Sequence, residues 1–413
     1  MWVAMLLHDF CQRYHAADLK IKSSLGAYGK RKQYVASLRQ GLLESRFLLP
    51  ETVEPIRSNT LELSSACDRM VVPPRTCKPQ VKVLCLNEGL AQVTMLLEYK
   101  PPQPKDSNKM QVVIQGERVY LAAHDAVLVF CLKQTDAYPL LASMPLPSIL
   151  VDSSPGATQL QLFEVLDKGH VVAGVGSCLA CWDTDLKLRY ATEVNGLQLG
   201  FSKAAGIVGH HLYFRSGGHV CFVDTLNPNS LERFQVTAAT RSSSSSPPSR
   251  LREIVVDVAS PLDGPWRVTF IDDSDAVHLG SCSPGQTDMV LLRSWTLPAG
   301  FFPLSLSCHL NRLALLGAPL VASAQGTEVM LWNLDTDAPP LSRNFDASAA
   351  SILLQGDIIY IRKYTAGENM LWLVDVSTLD VFFSLNSLGP IAISDLGFAT
   401  IGGDLATLWI SIW

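Results

Sequence analysis

The sequence predicts an all-β chain, a β-propeller of about seven blades with six or eight also allowed, preceded by a short helical segment. Three observations carry this. From about residue 79 onward, short apolar or alternating runs rich in Val, Ile, Leu, Phe and Tyr alternate with Gly, Asp, Asn, Ser and Pro clusters, which is the strand-and-turn pattern. The runs repeat: a Gly-containing turn, an apolar strand, a second turn, and a strand ending in Asp, Thr or both. The spacing is right for a unit of four strands, roughly 40 to 50 residues.

The repeats run 114–136, 167–185, 207–227, 308–337 and 354–380, and Asp183 lies 41 residues from Asp224, Asp335 40 from Asp375. The 111 residues between Asp224 and Asp335 leave room for two units. The unit missing from this series shows at 266–282 and 288–297, and the low-complexity segment TRSSSSSPPSR (240–250) reads as its disordered insertion. An aromatic residue precedes the closing Asp or Thr (Phe130, Trp182, Phe222, Trp332, Trp372), where it would wedge between neighbouring sheets. Strands such as VYLAAHDAVLVF are apolar on both faces, as a sheet sandwiched between sheets requires. Fragments remain at 81–99 and 391–413; completing one shared sheet would remove exposed edges.

Residues 1–50 read as two short helices. Trp2, Leu6, Phe10 and Tyr14 recur at four-residue spacing beside Leu7 and Cys11. A break at Ser23, Ser24, Gly26 and Gly29 precedes a second stripe, Val35, Leu38, Leu42 and Leu43, ending near Pro50. The expected division is a helical segment and linker over 1–70 and a propeller over 79–413.

Composition narrows the function. Apolar residues make up 48% of the 413, which excludes global disorder. The balance of 33 Lys and Arg against 38 Asp and Glu supplies no field for nucleic acid. No window reaches the roughly 18 apolar residues of a membrane-spanning helix. Ten scattered cysteines, mostly within apolar runs such as AVLVFCLK, read as small buried hydrophobes, and there is no N-x-[ST] sequon. The first ten residues carry no basic group, unlike a signal peptide. Eight Lys or Arg against three acids in residues 1–50 give a presequence some support, but no Arg lies in the first twelve. A cytoplasmic or nuclear protein is expected.

No residue is assigned to catalysis, cofactor or metal. Cys178-Leu-Ala-Cys181 has no second pair for zinc and lies in a strand pattern that sends the two thiols to opposite faces. His170, His210, His211 and His219 read as turn residues. Asp272, Asp273 and Asp275 lack the glycine and terminal Glu of a calcium loop. GVGSC (174–178) and GSCSPG (280–285) miss the nucleophile elbow, and GAYGKRKQ (26–33) lacks Walker spacing. GKRK (29–32) is a solvated basic run that would suit phosphate or a localisation receptor.

The layout resembles the region after the F-box in a class of fungal F-box proteins. Trp2, Leu6, Leu7 and Cys11 match its first piece, Leu38-Arg39 and Leu43-Glu44-Ser45-Arg46-Phe47 its second, and the G-x-h-h…W-x-h-D-T strands its repeats. The resemblance implies substrate recognition within a ubiquitin ligase. The F-box itself, which would hold the ligase adaptor, is missing: it would precede residue 1, and Leu49-Pro50-Glu51 is followed by Pro55 and a polar stretch unlike an F-box helix.

The expectation is therefore a non-enzymatic interaction scaffold that binds a protein through its loops, with no nucleic acid and no membrane. The alternative is a propeller enzyme or lectin using loop or central-channel residues, which requires a funnel lined by several carboxylates from different repeats.

Overall fold

The computed structural model describes residues 38–39, 42–48, 62–63, 69–72, 80–85, 92–98, 111–122, 125–132, 138–152, 160–166, 168–199, 205–236, 251–257, 260–261, 264–272, 276–319, 326–345, 349, 351–365, 368–387, 391–394, 397–402 and 405–411. These residues form eight antiparallel sheets, and the one described helix is short, Ser148–Asp152. The chain is an all-β propeller, as its sequence predicts, and none of its described helices is long and apolar enough to cross a membrane.

Seven sheets are built from four strands consecutive in sequence, spanning 62–98, 111–145, 162–193, 205–235, 251–296, 301–345 and 351–387. The eighth joins Ile391–Ser394, Gly397–Gly402 and Leu405–Ser411 to Leu42–Leu48, whose partner on the far side is the two-residue strand Leu38–Arg39. The chain clusters into two compact units: one of residues 1–121, 129–141 and 387–413, the other of 122–128 and 142–386.

Two sequence expectations change in the first unit. The stripe Val35, Leu38, Leu42, Leu43 predicts a helix, yet Leu42–Leu48 is a strand, paired from Leu42 with Ser411 to Leu48 with Leu405. The run LLESRFL fits a strand as well as a helix over so short a length, and a seven-residue ladder with the end of the chain decides. The fragments 81–99 and 391–413 also do not share a sheet. The former belongs with Glu62–Leu63 and Arg69–Val72, so strands begin inside the expected 1–70 linker. The helix expected at 1–22 and the insertion at 240–250 lie outside the described residues.

In the second unit, each pair of successive sheets encloses an apolar layer. Leu179 and Cys181 meet Phe214 and Val223 between the third and fourth sheets. Phe222 stacks on Trp266 at 4.3 Å between the fourth and fifth. Leu279 and Phe301 pack with Trp332 between the fifth and sixth, and Leu331 with Ile361 between the sixth and seventh. Trp182, Trp266 and Trp332 are almost wholly buried. Each such side chain contributes roughly 1.5–3 kcal/mol of burial, which neither sheet obtains alone.

The Asp endings of the third strands also have a local cause. Asp183 Oδ1 accepts from the backbone N–H groups of Asp185 and Lys187, Asp224 Oδ1 from Leu226, and Asp375 Oδ1 from Ser377 and Thr378. Asn333 does the same for Asp335. These Asx turns reverse the chain into the fourth strand.

Candidate interaction face

The turns between first and second strands and those between third and fourth strands lie at the same ends of the sheets. One bond ties them within the fourth, sixth and seventh sheets. His210 O accepts from Thr225 N at 2.9 Å, Asn311 O from Leu334 N at 2.8 Å, and Asp357 O from Val376 N at 3.2 Å.

Other bonds tie each sheet to the next. From the fourth strands, Tyr190 donates its hydroxyl to Thr225 O, Arg293 donates to Leu334 O and Asp335 O, and Arg343 donates to Leu379 O and Asp380. The fourth sheet uses backbone for the same step: Gln235 N donates to Thr287 O and Met289 N to Gln235 O. Four successive junctions thus share one device, the fourth strand of one sheet gripping the third turn of its successor. From the second strands, Arg267 reaches Asn311 Oδ1 and Asp335, and Arg312 reaches Asp357. Along the first strands, Ser305 Oγ, Ser307 Oγ and His309 Nδ1 accept from the N–H groups of Ile352, Leu354 and Gly356. Alternate side chains of one strand thereby satisfy the N–H groups that the next strand's ladder leaves unused.

This face is anchored and electrostatically uneven. In each Arg–Asp pair the carboxylate is the more exposed partner. Asp337 is 89% exposed against 26% for Arg293, 2.7 Å away. Asp357, Asp335 and Asp380 stand out beyond Arg312, Arg267 and Arg343 in the same way. The guanidinium groups also bind carbonyls and turns, so the carboxylates form the outer fringe, each still ion-paired with its arginine.

One apolar side chain breaks that fringe. Six two-residue hairpin turns begin with a left-handed residue, and five of these are glycine: Gly116, Gly176, Gly209, Gly217 and Gly356, at φ 55° to 60°. The sixth is Leu310 at φ 46°, followed by Asn311 at φ 60°. A side chain there costs about 1–2 kcal/mol. Leu379, also left-handed, recovers the cost in the core beside Ile361, and Leu186 is half-buried. Leu310 is 56% exposed.

Several of the residues singled out in the sequence lie among the described ones. Cys178 and Cys181 are buried in one strand, and burial pushes the Cys181 thiol up to about 11. Burial likewise raises Cys221 to about 11 and Cys282 to about 12, the latter helped by the Glu232 carboxylate. The His210 and His211 rings lie 4.3 Å apart, tilted by 38°, but His219 pairs with Ser216 at the opposite end of the same sheet. Among the described residues, no group of three His, Cys, Asp or Glu side chains is arranged to hold a metal. Asp273 and Asp275 lie outside the described residues.

Asp272 is buried in a cluster that the sequence does not announce. His278 Nδ1 lies 2.8 Å from Ser294 Oγ, and its Nε2 lies 3.2 Å from Asp272 Oδ2 without hydrogen-bond alignment. His278 stacks on Phe270, so the row ties three strands together. The unaligned Asp leaves the relay needed to activate a serine incomplete.

The inner strands bear on the enzyme alternative. In the second unit the exposed positions on the described first strands are Glu164, Arg252, Phe302 and Leu353. Glu164 is open to water on one side but crowded enough that desolvation raises its carboxyl above the ordinary value. Glu164 is the one exposed carboxylate on the described first strands of this unit.

No family model and no curated protein matches the chain. Solved structures do. The crystal structure of Saccharomyces cerevisiae Sqt1 is similar at TM-score 0.55 and 10% identity, over 86% of this chain and 95% of that one. The WD40 domain of SCAP from fission yeast is similar at TM-score 0.53 and 12% identity, over 90% and 98%. At these identities the likeness concerns the fold: a WD40-like β-propeller.

Proposed function

We propose that the chain is a non-enzymatic scaffold that binds a protein partner through the turn face of its second unit. The observation carrying this reading is the anchoring of that face from each sheet to its successor at four junctions, and within the fourth, sixth and seventh sheets. Binding to a rigid surface avoids the entropy cost of ordering loops, so preorganisation favours recognition. The overall charge balance, formally -5, supplies no attraction for nucleic acid or anionic membrane.

The test is affinity purification of the tagged full chain from the cells that make it, beside Asp335→Lys/Asp357→Lys/Asp380→Lys. A set of proteins retained by the wild type and lost by this variant supports the reading. Equal retention by both contradicts it. A Val290→Lys/Leu292→Lys variant on an outer strand serves as the control that keeps its partners.

The finer role, substrate recognition in an F-box-type ubiquitin ligase of the cytoplasm or nucleus, is supported by the resemblance in layout alone. An adaptor of a cullin ligase in the purified complex, or an F-box encoded just upstream, supports it. A complex with neither counts against it.

A further inference from the structure

We propose that Leu310 is the anchor of the interface, inserting into an apolar pocket on a protein partner whose rim is basic. This deepens the scaffold reading and rests on it.

The argument starts from a cost. Five other two-residue turns open on a left-handed glycine, whereas this one places Leu310 at φ 46° and Asn311 at φ 60°, where a leucine side chain carries a cost. Strain of this kind persists when something repays it. Leu379 is repaid by burial and Leu310 is not. The turn is nevertheless held rigidly. Asn311 N donates to Asp257 Oδ2 at 3.3 Å, Asn311 Oδ1 accepts from Arg267, and Asn311 O accepts from Leu334 N. An apolar tip on a fixed support loses little entropy on binding, which is how a dominant contact residue behaves.

Charge supplies the partner's chemistry. Asp335 flanks the tip on one side, through the Arg267 that also holds Asn311, and Asp357 flanks it on the other, through the neighbouring Arg312. Both carboxylates project past their arginines. A pocket that accepts Leu310 therefore meets two outermost carboxylates at its edge, each backed by its arginine, and Lys or Arg there would complement their exposed oxygens.

The experiment replaces Leu310 by photoreactive benzoylphenylalanine in the full chain, with Val290 replaced likewise as an equally exposed control. After irradiation in the source cells, cross-linked peptides are sequenced. The proposal expects cross-links from position 310, absent from 290, to apolar residues of another protein that lie beside Lys or Arg. It also expects Leu310→Asn to weaken capture of that protein at least about tenfold, a hot-spot loss, while thermal stability rises. Capture should fall as salt increases.

Cross-links to a second copy of this chain, or to a pocket with an acidic rim, overturn the proposal. So does unchanged capture by Leu310→Asn. Cross-links from 290 but not 310 leave the scaffold reading standing and remove this one. Silence at both positions, together with equal retention by the charge-reversed variant, removes both.

Discussion

Arg312 of the sixth sheet closes on Asp357 of the seventh at 2.5 Å, and the carboxylate is 74% exposed against 39% for the guanidinium. The pair staples two sheets and still leaves its negative end to solvent. As a contribution to stability it is small, since exposed pairs are worth about 0–1 kcal/mol. Its larger consequence is geometric: it fixes the turn that carries Leu310.

Leu310→Asn should stabilise the protein by about 0.5–1 kcal/mol, because Asn tolerates the left-handed conformation and little buried apolar contact is lost. Chemical denaturation checks this through an increased midpoint at constant slope. A decrease would show that Leu310 already packs within the free protein.

Ser307→Ala should destabilise by about 1–3 kcal/mol, since it strips the buried Leu354 N–H of its acceptor, 2.9 Å away. The measurement is equilibrium unfolding. Ser307→Thr, which keeps the hydroxyl, should recover part of the loss.

Asp375 gives a defined acid response. The Ser377 hydroxyl first, and then the backbone N–H groups of Ser377 and Thr378, hold its carboxyl below the usual carboxylate range. That contribution is complete above the unfolded value near 4 and disappears as pH falls through the lower folded one. Asp375→Asn should therefore flatten the decline in stability below about pH 4, followed by thermal melts at stepped pH. An unchanged acid limb would contradict the assignment.

Thiol chemistry should divide the cysteines. Burial raises Cys181, Cys221 and Cys282 and pushes Cys308 higher still, whereas Cys131 is only half-buried. In the native state, a thiol reagent at pH 8 should modify Cys131 first among these five, with the others reacting on unfolding. Peptide mapping after a timed pulse distinguishes the two groups.

The fold was legible where each signal was local. Asp183, Asp224 and Asp375 mark the chain reversals because a carboxylate two residues ahead of free N–H groups makes an Asx turn. Trp182 and Trp332 mark the wedge positions because an aromatic ring fills the space between sheets. Leu42–Leu48 was misread as helix because its strand partner, Leu405–Ser411, is more than 350 residues away and nothing local records it. The interaction face was hidden for the same reason. Arg293, Arg343 and Tyr190 carry no motif, and their targets lie 35 to 42 residues on. Leu310 had a signal only in comparison with the corresponding first turns of other sheets, which open on Gly116, Gly209 and Gly356.

Hydrogen exchange across this face tests most directly whether it is preformed. Leu334 N, Val376 N, Gly356 N, Asn311 N and Ser377 N all donate to turn or neighbouring-sheet acceptors. Peptides covering 309–312, 331–337, 355–358 and 374–380 of the free protein should exchange as slowly as the strands that flank them. Exchange of these turns at the rate of an unstructured peptide, with the strands still protected, would contradict the claim of a rigid binding face.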